Sequence, residues 1–344
     1  MRAGSRCACL ALAASLGAGC RVQRPPEALL RGDRLEAAGR TAEALEAYRE
    51  AAAQCTEDRA DCRLARLQVA ETLDRLGRLR EAERTYLELL TWTGELSTAA
   101  RAADRAADLL ERRGQREKAL ALSRQIMERF PDEVAAEDSL RRTLRLLSST
   151  RQQGALAQLL LRLYRELHLT GLGDNLLYEA ARLYERNARQ REAIALFDQL
   201  ADGYAQSPLR DDSLWRAGQL LEAMQDWEGA LHRYRRLLRT RRDAFLIGSY
   251  NSVRLPDAQL RVGLIYLDRL GNLDAAVAAF EELRDSFSDS TLRDDAQWWI
   301  AQTHLRAGRR QLACHDLRRL EVQFPDGNQL RKARLARAEL GCPQ

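Results

Sequence analysis

Eleven residues of this 344-residue chain are thiols or imidazoles: seven cysteines and four histidines. The histidines, His168, His232, His304 and His315, have no Cys or carboxylate at the spacing of a metal site or a catalytic triad. His315 adjoins Cys314, but the C-x2-C step of zinc sites is missing. No phosphate-cradling P-loop, GxGxxG or GxSxG occurs, and Gly171-Leu172-Gly173 reads as a turn. The expectation is therefore no catalytic residue, no metal, no cofactor and no small-molecule substrate. The cysteines divide into Cys7, Cys9 and Cys20 near the start, the pair Cys55 and Cys62, and the late Cys314 and Cys342.

The elements that position these residues follow from periodicity. Residues 64–90 read as two amphipathic helices. Leu67, Ala70, Leu73 and Leu76 mark the first; Ala82, Tyr86, Leu89 and Leu90 mark the second. Gly77 between them tolerates the left-handed backbone that turns the chain back. Neither helix buries its apolar face alone, so neighbours must stack on it. The alanine after the turn recurs as Ala44, Ala82, Ala119, Ala155, Ala193, Ala230, Ala276 and Ala313. Small residues stand twelve before most of them (Gly32, Ala70, Ala107, Ala181, Gly218, Ala301), and an aromatic four after many (Tyr48, Tyr86, Phe197, Tyr234, Phe280).

This pattern resembles the tetratricopeptide repeat (TPR), a helix-turn-helix unit. The resemblance implies an all-α, right-handed solenoid of about eight repeats. They lie near 27–56, 63–94, 100–131, 136–168, 174–206, 211–240, 257–288 and 294–325, with an insertion at 240–256 and a capping helix at 330–340. The copy around Ala155 is degenerate, with Arg145 and Ser148 at apolar places. The charge is nearly balanced at +5, with acids interleaved among the arginines, which fits solvated helix faces and not nucleic-acid binding.

Residues 1–19 read as an export signal: Arg2 and Arg6, then the apolar run Cys7–Ala18, too short to span a bilayer. Leu16-Gly17-Ala18-Gly19-Cys20 resembles the lipobox of bacterial lipoproteins, which implies lipid on Cys20 and a short tether over 20–26. Arg21, in place of an inner-membrane retention Asp, implies the outer membrane; the alternative is a soluble periplasmic protein. After export, Cys55, Cys62, Cys314 and Cys342 are candidates for disulfides, with three pairings possible. Proximity favours 55 with 62, and a folded-back terminal helix permits 314 with 342.

Phe130-Pro131-Asp132, Tyr204 to Pro208, Phe287 to Ser290 and Phe324-Pro325-Asp326 punctuate the later repeats, and Thr291 to Asp294 has capping-box spacing. The phrase at 287–310 is similar to repeats of the BamD (YfiO) and YbgF/CpoB families of envelope proteins. That likeness implies a non-catalytic scaffold lipoprotein in outer-membrane protein assembly. The alternatives are a soluble periplasmic adaptor of the cell-division or Tol-Pal type, and an accessory module of a cell-wall enzyme complex. TPR proteins line a groove with the first helix of each repeat, which implies Leu67, Asp104, Tyr178, Trp215, Arg261 and Trp298. One turn on come Glu71, Asp108, Arg182, Gln219, Ile265 and Gln302. The candidate protein-binding residues are Tyr178, Arg182, Trp215, Gln219, Arg261, Trp298 and Gln302, with aromatic anchors for envelope proteins or extended peptide segments. The insertion, with Phe245, Leu246, Ile247 and Tyr250, either binds or folds back onto its repeat.

Overall fold

The computed structural model describes residues 26–54, 60–91, 96–148, 153–247 and 252–343, with backbone only for 241–247. The stretch read as an export signal, Cys20, the stretch read as a tether up to residue 25, Cys55 and the apolar side chains of the expected insertion lie outside the described residues. Among the described residues there are seventeen α-helices and no strand. The chain forms two compact units, 1–109 and 110–344. In the first, α1 (Glu27–Ala37) pairs with α2 (Thr41–Ala53), and α3 (Ala60–Arg75) with α4 (Leu79–Leu89). Helix α5 (Leu96–Arg112) runs across the division. The second holds α6 (Arg116–Arg129), α7 (Val134–Leu146), α8 (Gln153–Leu167), α9 (Gly173–Arg186), α10 (Gln190–Gly203), α11 (Leu209–Ala223) and α12 (Trp227–Ile247). It continues with α13 (Arg254–Asp268), α14 (Leu273–Ser286), α15 (Arg293–Arg306), α16 (Arg310–Gln323) and α17 (Leu330–Glu339).

Several of the pairs close the same way. At the α3–α4 turn Gly77 has φ +75°, and Arg78 N–H donates to Leu73 O at 2.9 Å, joining the two ends of the turn. Ala188 (φ +55°) and Gln225 (φ +61°) hold that left-handed place in the α9–α10 and α11–α12 turns, where a Cβ is strained. Within the pair, a ring on the second helix lies over a small residue on the first. A Cβ on Gly218 would stand 2.5 Å from Tyr234, and one on Gly263 2.3 Å from Phe280. These rings are fully buried, as are Tyr48 and Tyr86 in the first unit.

Four expectations are corrected. The small residue under Phe280 is Gly263, thirteen before Ala276, because the α13–α14 turn holds one extra residue and Leu270 N–H reaches Ile265 O. In the fourth pair Ala157 is the buried alanine and Ala155 is exposed, since α8 is displaced by two positions. The insertion is largely absorbed by regular structure: α12 continues to Ile247 and α13 starts at Arg254, ahead of Pro256. The Thr291–Asp294 capping box does not form. Helix α15 begins at Arg293 without a side-chain cap, and Asp294 instead accepts from Gln329 N–H, before α17. Asp132 and Asp174 form similar ties, to Gly171 N–H at 2.6 Å and to the Ser207 hydroxyl at 2.5 Å.

Candidate functional site

Helix α11 touches both α9 and α13, so the first helices of three successive pairs share a face. Asp212, on the first turn of α11, is its polar centre. Its Oδ2 accepts from the Tyr178 hydroxyl and from Arg216 Nε at 2.8 Å, while Arg254 lies 3.2 Å from Oδ1. Burial alone would raise the Asp212 carboxyl. The Tyr178 and Arg216 hydrogen bonds, with the positive charges of Arg216 and Arg254, hold it below its ordinary value. Arg216 extends the network to Glu185 at 3.2 Å, and Arg182 joins through the Tyr178 hydroxyl at 3.4 Å.

A second cluster lies at the far end of α11. Glu222 accepts from the Tyr234 hydroxyl at 2.6 Å and from both Nε and Nη2 of Arg261. Glu222 and Arg261, with Gln219, Ala223, Trp227 and Arg269, line an open cleft of about 430 Å³. Arg269 stacks on Trp227, 4.9 Å from the ring centroid, and makes no ion pair among the described residues. Glu179 on α9 is half-buried without a hydrogen bond or ion pair among the described residues. Burial pushes its carboxyl up against the opposing charges of Arg182, Arg186 and Arg216.

Of the seven expected groove residues, Tyr178, Arg182, Trp215, Gln219 and Arg261 lie on this face. Two are corrected as anchors: Tyr178 and Trp215 are each only 8% exposed. Tyr178 packs edge-on to Phe197, and Trp215 lies 5.3 Å from the Tyr234 ring, so both support the face from beneath. Arg261 is on the face through a register one residue off, since Gly263 shifts the equivalent positions to Leu260 and Leu264, and Ile265 is buried. Trp298 and Gln302 stand apart on α15, with Trp298 packed on Ala301, Leu317, Leu320 and Ala333. In the first unit Leu67 is buried and Glu71 pairs with Arg101 at 2.7 Å; Asp104 and Asp108 are engaged as well. Sequence reasoning missed Asp212, Arg216, Glu222, Arg254 and Arg269, whose helical spacing resembles that of any solvated charge.

Two of the late chemistry-bearing groups tie helices together. Cys314 is bonded to Cys342 with their Cα atoms 5.5 Å apart, fastening α17 to α16. Cys62 is disulfide-bonded. His304 Nδ1 lies 2.7 Å from Asp316 Oδ2, and Gln297 donates to Asp316 O. Among the described residues no three His, Cys, Asp or Glu side chains are grouped to hold a metal, and no helix is long and apolar enough to cross a membrane.

The tetratricopeptide repeat model matches residues 101–133, 212–243, 257–290 and 295–327. These four segments are TPRs. Three of them lie wholly in the second unit and include most of the face built on α11 and α13. No curated protein matches the chain. Solved structures similar to it include the C-terminal part of a TPR protein from Cytophaga hutchinsonii, 13% identical, over 78% of this chain and 98% of that one, with a TM-score of 0.42. Another is a signal-transduction ATPase with a TPR sensor from Pyrococcus horikoshii, 15% identical over 89% of this chain (TM-score 0.45); the match spans 47% of that chain. A third is YrrB, described as a TPR protein with an unusual peptide-binding site, 18% identical, over 70% of this chain and 92% of that one (TM-score 0.35).

Proposed function

We propose that this chain is a non-catalytic scaffold that holds an extended segment of a partner protein against the shared face of α9, α11 and α13. The observation that carries this reading is the network through Asp212 and Glu222. It fixes Arg216, Arg254 and Arg261 before any partner arrives, which lowers the ordering cost of association. Two charges are left for the partner. Glu179 suits a basic side chain, whose arrival would relieve its unpaired burial, and Arg269 beside the 430 Å³ cleft suits an acidic one. A photo-crosslinking residue at Gln219 tests the reading, with one at the exposed Glu228 of α12 as control. Adducts expected from position 219 should weaken with Glu179→Gln and Arg269→Gln. Equal yields from both positions would remove the face as the docking surface.

The cellular setting belongs to the same proposal. The 1–19 leader and the lipobox-like run before Cys20 support export and lipidation. The Cys314–Cys342 disulfide fits an oxidising compartment. The chain is then an outer-membrane lipoprotein facing the periplasm, with a BamD-like part in outer-membrane protein assembly. Palmitate label that disappears in Cys20→Ala is the expected result. A wild-type protein that takes no label and fractionates as soluble would favour a periplasmic adaptor like YbgF/CpoB.

A further inference from the structure

Charge is unevenly placed at the C-terminal end. Residues 306–343 hold nine arginines and lysines against four acids, a net of +5 that equals the net charge of the whole chain. Several of these cations are engaged: Arg306 with Asp268, Arg309 with Asp274, and Arg337 with Glu321. Four are not. Arg318, Arg331, Lys332 and Arg334 are exposed and make no ion pair or hydrogen bond among the described residues.

Their placement makes them one surface. Helix α17 lies antiparallel on α16, fixed by Cys314–Cys342 at one point and by Glu321–Arg337, at 2.7 Å, at another. Arg318 is four residues after Cys314 and three before Glu321, so it stands on the same seam. Arg334, one turn before Arg337, approaches that seam from α17. Arg331 and Lys332 precede the buried Ala333 and are exposed. Among these cations stand two aliphatic side chains that no core claims: Val322, 72% exposed, and Leu335, 59% exposed. The helix is held firmly beneath them. Gln329 N–H donates to Asp294 at its start, and the disulfide closes its end.

We propose that this α16–α17 surface docks on an anionic lipid bilayer. Four unpaired cations at the tips of long side chains match a diffuse negative surface, which attracts each nearby Lys or Arg additively. Val322 and Leu335 can enter the boundary between headgroups and acyl chains while the cations remain at headgroup level. A single-stranded nucleic acid fits less well, because neither α16 nor α17 carries a Phe, Tyr or Trp side chain for a base to stack on. This contact is separate from lipid on Cys20 and from the partner face of α9, α11 and α13.

The test uses the full chain carrying Cys20→Ala, so that no attached lipid contributes, in co-sedimentation with phosphatidylcholine vesicles with or without about one-third phosphatidylglycerol. Binding is expected with the anionic vesicles only. It should fall roughly tenfold or more when Arg318, Arg331, Lys332 and Arg334 are all replaced by Gln. The four side chains hold nothing in the fold, so circular dichroism melting should be unchanged. A second measurement needs no variant: binding of the Cys20→Ala chain should be lost between about 0.1 and 1 M salt, as the screening length shrinks from about 10 to 3 Å. The proposal is overturned if the fourfold variant binds as well as its parent, or if binding ignores phosphatidylglycerol. Retention by single-stranded DNA with none by the vesicles would overturn it in favour of nucleic acid.

Discussion

The α9–α10 and α11–α12 pairs are built on one plan, and where ring meets small residue they differ at two positions. In α11–α12 Gly218 lets the Tyr234 ring sink against the helix, and the Tyr234 hydroxyl reaches Glu222 at 2.6 Å. Glu222 in turn grips Arg261 of the next pair. In α9–α10 the corresponding residues are Ala181 and Phe197, both fully buried, and the ring has no hydroxyl to offer. Glu185, the counterpart of Glu222, is held by Arg216 with no tyrosine beneath it. In α11–α12 the ring over the small residue itself carries the tie to the next pair, whereas in α9–α10 that tie is made by Tyr178, which packs on Phe197 and donates to Asp212.

The largest expected effect separates the two pairs directly. Gly218→Ala places a Cβ 2.5 Å from Tyr234 and should cost about 2–3 kcal/mol. The reverse exchange, Ala181→Gly, should cost only the helix-propensity difference of about 1 kcal/mol. Thermal melts monitored by circular dichroism compare them, and equal losses would end the distinction. Next in size, Tyr234→Phe removes the hydroxyl and should cost about 1–2 kcal/mol. It should also weaken partner capture through Arg261.

The turns sharpen the comparison further. Both pairs strain a non-glycine residue, Ala188 in one and Gln225 in the other. Glycine at either place should stabilise by about 0.5–1 kcal/mol, equally in both, as relieved strain outweighs the added chain entropy. Smallest is Glu179→Gln, which removes an unpaired carboxylate from α9. Because burial raises this acid's folded pKa, the folded state binds its proton more readily than the unfolded chain. Glu179 therefore lowers stability as pH climbs through its folded value. The variant should melt higher at neutral pH, by at most about 1 kcal/mol, and the gain should vanish as pH falls toward about 4. Melting across pH checks the sign; a variant that melts lower at neutral pH would show that Glu179 has a partner.

The repeats were legible because Ala82, Tyr86 and their copies recur at nearly fixed steps, and burial allows little else at those places. The polar face was not. Arg216 and Glu185 are 31 residues apart, and Arg261 and Glu222 are 39, so no local window shows either pair. The extra residue in the α13–α14 turn also moved Gly263 out of the expected register, and Arg261 entered the candidate list through that slip. Tyr178 and Trp215 were recognisable as aromatics on the right helix. Whether a ring lies under a surface or on it depends on its neighbours, here Phe197 and Tyr234, which come from the second helix.

The Cys314–Cys342 bond has a mechanical consequence. Tension applied at residue 343 enters the chain at Cys342 and passes through sulfur to Cys314. The 27 residues between them, which include the second half of α16, the Phe324-Pro325-Asp326 turn and all of α17, lie off the load path. A pull at this end cannot peel the last helix away. It has to draw on α16 near its middle, and so works against a whole helix pair at once.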